Sequence, residues 1–244
     1  MSILNKMRLL KSTLCAALIV LAWTSSSQAT PVTFTGSSGT LSAEADFNLS
    51  GTTLTVTLKN TSSADVLVPT DVLTGVFFDT TNTLTPISAS LNGSTVFYGS
   101  FVSDVGEGWQ YKSGVSAQGK NSGISAAGLG VFGPNGNFFS PGVTVDGLDY
   151  AILSAGDLSG TGNTGVTGQG PLIKNTVEFT LTAASGFDLS ELGDSVVFQY
   201  GTALAETHFD SEDGGGSVPE PPTLLLLGGG LIGLGAMGRW KAGR

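Results

Sequence analysis

This chain of 244 residues has one cysteine, one histidine and few charges, its ten basic and nineteen acidic side chains making up only 12% of the sequence. The cysteine, Cys15, lies in an apolar run near the N-terminus, and the "STL" before it lacks the small residue that a lipoprotein signal sets directly ahead of its cysteine. Once that run is removed on export no thiol remains, which excludes disulfides, iron–sulfur clusters, cysteine-ligated zinc and cysteine nucleophiles. The lone histidine, His208, has no second histidine or cysteine with which to complete a metal site or a nucleophile–base pair. No GxSxG elbow occurs. His208 therefore reads as an exposed polar residue at a strand end, and the chain as non-enzymatic.

Basic residues are scarcest in the middle of the chain. Lys6, Arg8 and Lys11 precede the apolar run, and Arg239, Lys241 and Arg244 close the sequence. Between residues 30 and 217 only four lysines (Lys59, Lys112, Lys120, Lys174) stand against eighteen carboxylates, a net charge of about −14 with no arginine. Phosphate backbones repel such a surface, which argues against nucleic-acid partners.

What is plentiful is turn-forming: 36 glycines and nine prolines, in a chain rich in serine and threonine. Few helix formers and 40% hydrophobic residues point to packed β-structure. In "LSAEADFNL", Leu41, Ala43, Ala45, Phe47 and Leu49 alternate with Ser42, Glu44, Asp46 and Asn48; in "TLTVTLKN", Leu54, Val56 and Leu58 alternate with threonines and Lys59. With "SGTT" between them as a turn, these segments predict a half-buried hairpin. The same period returns at Val177, Phe179, Leu181 and Ala183. The expected fold class is all-β, a single β-sandwich of jelly-roll type over residues 30–209. One helical turn is expected at "FDLSELG", capped by Asp188 or Ser190, and exposed loops at 133–142 and 158–172.

The two ends follow a different pattern. Lys6, Arg8 and Lys11, the apolar "LCAALIVLAW" over 14–23, and the small Ser27 and Ala29 predict a secretory signal peptide, residues 1–29, cut between Ala29 and Thr30. Its ten-residue apolar core is too short to span a bilayer. At the other end an acidic, glycine-rich spacer, 210–217, leads to Val218, Pro219, Glu220 and Pro221, an uncharged stretch over 223–238, and a basic tip. That stretch, with Pro221 and Pro222 in the interface, predicts a short transmembrane helix; the positive tip holds its far end in the cytoplasm and leaves the body outside. The prolines keep the backbone around Glu220 extended and open to a protease.

Val218-Pro219-Glu220-Pro221, then "TLLLLGGGLIGLGAMG", then Arg239, Lys241 and Arg244 resemble the PEP-CTERM sorting signal of exported bacterial proteins. Pro222 stands where serine or alanine is commoner, and Trp240, Ala242 and Gly243 interrupt the basic tip. The sorting signal spans 218–244, and the resemblance implies a partner, exosortase, a membrane-embedded cysteine protease or transpeptidase that recognises Pro-Glu-Pro and removes the hydrophobic tail. It also implies a precursor held in the inner membrane and a product at the cell surface or beyond. Residues 72–79, 84–91 and 196–202 are similar to segments of one subgroup of exosortase-dependent surface proteins, which supplies no residue-by-residue function.

For ligands, three loops collect oxygen donors of the kind calcium takes: Asp104 and Glu107 in "DVGEG", Asp146 and Asp149 in "DGLDY", and Asp157 in "DLSGTGN". The same carboxylates also suit an acidic, solvated surface. Apart from calcium no cofactor is expected. Two functions remain open. One is a non-enzymatic structural or adhesive surface protein associated with exopolysaccharide or biofilm. The other is a secreted carbohydrate-binding or carbohydrate-active domain using Trp109, Tyr111 and Tyr98 as sugar platforms, positions that strand core would otherwise claim.

Overall fold

Alternation of period two, interrupted every few residues by glycine turns, gives short antiparallel strands with one wet and one dry face. The computed structural model describes residues 30–99, 104–136, 138, 144–145, 147–167 and 170–212. The signal segment 1–29 and the tail from 213 onward, with the sorting motif and basic tip, lie outside the described residues.

The strands begin with β1 (Val32–Ser38), β2 (Leu41–Ser50) and β3 (Thr53–Asn60), an antiparallel meander. The predicted hairpin is β2–β3: Ser50 faces Thr53 across the two-residue loop Gly51–Thr52, where Gly51 takes φ +61°, a conformation glycine adopts without steric cost. Next come β4 (Leu73–Phe78), β5 (Thr85–Ser90), β6 (Val96–Phe97), β7 (Gln110–Ala117), β8 (Lys120–Ser125), β9 (Ile152–Leu153) and β10 (Leu172–Lys174). The last are β11 (Thr176–Thr182), β12 (Val197–Tyr200) and β13 (His208–Asp210).

These strands form two sheets. The first runs β1-β2-β3-β11-β5; the second runs β13-β12-β4-β9-β10-β6, with β8 also pairing β4 and carrying β7. All pairs are antiparallel except β9 with β10. The sheets pack face to face as a β-sandwich. The order departs from the expected jelly roll: that fold sends successive strands to opposite sheets, whereas β1, β2 and β3 stay together, because two-residue hairpins tie each to its neighbour.

The main core lies between the sheets. Phe47 on β2 meets Phe78 on β4 edge-on at 5.4 Å, and Phe179 on β11 meets Trp109 at 4.8 Å. The residues expected to point inward on β2, β3 and β11 do so: Phe47, Leu54, Val56, Leu58, Phe179 and Leu181 are among those fully withdrawn from water. Strand β4, "LTGVFF", is buried at every position. Its other face is covered by a second, smaller cluster in which Phe77 packs with Leu129 and Phe132 from the loop after β8.

A buried polar seam joins the layers. The Tyr200 hydroxyl donates to the Ser42 carbonyl at 2.9 Å, and Asn60 Nδ2 donates to the Ile152 carbonyl at 3.0 Å. The expected helical turn is a single 3₁₀ turn, Leu189–Leu192. Asp188 caps it, accepting from Ser190 N at 2.8 Å, while Glu191 reaches back to Asp188 N.

Two loops expected to be exposed are anchored instead. Phe138, at 3% exposure, packs on Phe179 at 5.1 Å, and Val166, at 1%, joins the main core. Glycine-rich composition marked both as loops, but Phe138 in the first and Val166 and Leu172 in the second find room between the sheets.

Candidate functional site

The route to the sorting tail starts on the sandwich itself. β13 pairs β12, and the backbone continues to bond beyond it: Ser211 N donates to Val196 O at 2.8 Å, and Val196 N to Ser211 Oγ at 3.1 Å. Glu212 N then donates to Thr35 O on β1 at 2.7 Å, and Ser37 Oγ to Glu212 Oε1 at 2.7 Å. The segment expected to be spacer from residue 210 thus begins as structure, since it closes the edge of β12 against the edge of β1. Pro219 lies seven positions beyond Glu212, a separation that an extended chain spans in at most about 24 Å.

The expected calcium ligands divide into separate places. Asp104 bonds locally, its Oδ1 accepting from Gly106 N at 2.9 Å. Glu107 and Asp149 line one small cleft of about 210 Å³ together with Tyr150. Burial first, and then the charges of Glu107 and Asp149, push the Tyr150 phenol above its ordinary range. Tyr150 holds a left-handed φ of +61° beside Trp109, whose indole Nε1 donates to the Tyr150 carbonyl at 3.0 Å. Asp146 lies outside the described residues.

Asp157 is elsewhere, opposite a residue the sequence reading missed. It is 3% exposed, and its Oδ1 accepts from Val66 N at 3.2 Å. Across from it, Asp65 Oδ1 accepts from Leu158 N at 2.9 Å and from Thr161 Oγ1 at 2.8 Å. Each aspartate thus holds the backbone N–H of the residue that follows the other, and the two carboxyls lie within hydrogen-bonding range of one another. Burial, aided by the Asp65 charge, pushes the Asp157 carboxyl up; the Leu158 N–H and the Thr161 hydroxyl pull Asp65 down. Ninety-two positions apart in sequence, the two carried no spacing signal. Among the described residues no group of three histidine, cysteine, aspartate or glutamate side chains gathers as a metal site.

The aromatic platform is overturned. Trp109 is fully buried and Tyr111 is 4% exposed. Tyr98 is half-buried, with its hydroxyl accepting from Gly160 N at 2.7 Å. Trp109 and Tyr111 fill the core instead of offering flat faces to solvent: Trp109 packs edge-on against Phe179 of the opposite sheet, and Tyr111 stacks against Phe78 of β4. His208 is exposed at the start of β13, with ring Nδ1 2.9 Å from the Glu206 carbonyl.

The outer face of the first sheet is polar and in register. Asn48, Thr55, Thr180 and Ser88 form one row across β2, β3, β11 and β5, and Ser50, Thr53, Thr182 and Thr85 form another. Beside them Lys59 bridges Glu44 and Asp46, with 2.7 Å from Nζ to Asp46 Oδ2. Burial alone would raise the Asp46 carboxyl, but the bonds from Lys59 and Thr33 outweigh it and hold it below its ordinary range.

Among the described residues no helix is long and apolar enough to cross a membrane. The signal cut at Ala29, the sorting residues Val218 to Pro221 and the basic tip fall outside them. Here the comparison with known families is decisive. Residues 217–241 match the PEP-CTERM protein-sorting motif. No curated protein and no solved structure matches the chain. The protein is thus an all-β sandwich carrying a PEP-CTERM sorting motif, the mark of an exosortase-targeted surface protein.

Proposed function

We propose that this protein is a non-enzymatic component of the bacterial surface or extracellular matrix, delivered through its C-terminal motif and associating with exopolysaccharide through its sandwich. The observation that carries the reading is the motif at 217–241, joined by a short leash to a domain that ends at a closed seam. In this reading residues 1–29 direct export, the apolar tail holds the precursor in the inner membrane, and exosortase removes it. The in-register rows of serine and threonine on the outer face of the first sheet support contact with a neutral, hydroxyl-rich polymer, which an acidic body would not repel. The burial of Trp109 and Tyr111 weighs against the alternative of sugar stacking.

Glu220→Ala tests the delivery step. It removes the charge between two prolines and lies outside the sequence of the sandwich strands, so the domain should fold and the precursor should keep its tail. Intact mass of the protein recovered from cells reads the outcome directly, and a variant product that has lost its apolar tail as the wild type does would overturn the proposal.

A further inference from the structure

Asp157 is withdrawn from water, yet its Oδ2 has no hydrogen-bond donor among the described residues. The nearby ammonium does not supply one: Lys174 Nζ donates to the Asp157 carbonyl oxygen at 3.0 Å and lies 5.6 Å from the Phe97 ring centre. The Oδ1 atoms of both aspartates are engaged by Val66 N, by Leu158 N and by Thr161 Oγ1. What is left is one buried carboxylate oxygen without a partner and a second carboxyl that interacts with its group. Two carboxylates so placed repel unless a positive charge sits between them. A buried polar atom without a partner is costly, which makes Oδ2 a feature to be explained by a ligand.

We propose that Asp65 and Asp157 form a site for a hard divalent cation, calcium in kind, that pins the loop after β3 to the loop after β9. Two carboxylates supply hard oxygen donors, and Asp65, half-exposed, leaves room for water to complete the shell. With only two charged ligands the site belongs among low-affinity sites, with Kd of about 0.1–1 mM, a range suited to a protein working outside the cell. The consequence is local: Asn163 N already donates to Leu67 O at 2.9 Å, so a cation at the base of these loops fixes the wall formed by Pro69, Gly165 and Val166 around a cleft of about 510 Å³.

The test uses the full-length protein in detergent, with calcium chloride as the probe against magnesium and sodium chloride at matched ionic strength. At about 10 mM calcium the wild-type Tm should rise by roughly 4–8 °C, with magnesium giving less. Asp157→Asn and Asp65→Asn should each abolish most of that rise. Terbium luminescence on the wild type gives a reading that needs no variant: Tyr98, bonded to Gly160 in the same loop, serves as antenna, and calcium should displace the signal. A wild-type Tm unmoved by calcium, or a rise that survives in both variants, would overturn the site and leave the pair joined by a shared proton.

Discussion

Phe179→Ala should cost this domain a large part of its stability, and the structure sets the size. The side chain is completely buried on β11, with Trp109 at 4.8 Å on one side and Phe138 at 5.1 Å on the other. Removing a buried phenylalanine loses its transfer free energy and leaves a cavity, about 3–5 kcal/mol together. The two aromatic contacts place this site at the upper end of that range. Domains of this kind hold about 5–15 kcal/mol in all, so the variant should unfold at markedly lower denaturant. The control is one residue away: Glu178 points outward, accepting from an Asn92 amide at 3.0 Å, and its change to alanine should stay within about 0.5 kcal/mol. Urea melts of both variants, with an unchanged slope m, measure the difference. Comparable losses at Glu178 and Phe179 would refute the assignment of strand faces, and with it the two-layer core.

Further outcomes follow from the same structure. Gly156→Ala would set a Cβ 2.0 Å from the Ser63 carbonyl oxygen, a backbone atom, and should cost about 1–3 kcal/mol; an unchanged Tm would show that the two loops do not meet there. Burial holds the Tyr200 phenol well above its ordinary range, so the stability tied to its neutral form is complete below about pH 10 and is lost as pH rises beyond. Tyr200→Phe should flatten that alkaline loss, and an identical alkaline slope in the variant would contradict it. Deleting Gly214, Gly215 and Gly216 shortens the reach from Glu212 to Pro219 by about 10 Å and should slow tail removal, whereas three added glycines should not; pulse-chase processing rates decide it. Neutralising Arg239, Lys241 and Arg244 together should let the tail slip through the membrane and the precursor escape processing, read as uncut protein outside the inner-membrane fraction.

Periodicity in the sequence located what depends on it. The hairpin of β2 and β3, the inward set on β11 and the Asp188 cap all follow from neighbours within a few residues, where side-chain alternation and local hydrogen bonds act. Contacts between distant segments had no such signature. Strand β4 reads as an apolar run, but nothing in it announces that Leu129 and Phe132 cover its second face. Trp109 and Tyr111 are chemically fit for sugar stacking, and only packing assigned them to the core. The partnership of Asp65 with Asp157 arises from loops far apart in sequence that the fold brings together, and the bonding of Glu212 to β1 hides in a stretch whose composition marks it as linker. The sorting motif was legible because its function resides in a short linear pattern that needs no fold.

The most direct test of the central claim compares cells with and without a working exosortase, following this protein by fractionation and by the mass of its C-terminal peptide. With exosortase, the protein should appear at the surface or in the medium without the tail that follows the Pro-Glu-Pro segment. Without it, the full-length precursor should sediment with the membranes, its sandwich accessible to protease added from the outer side. A full-length precursor found wholly in the soluble fraction of cells lacking exosortase, or a C-terminal peptide still ending at Arg244 in cells that have it, would contradict the account.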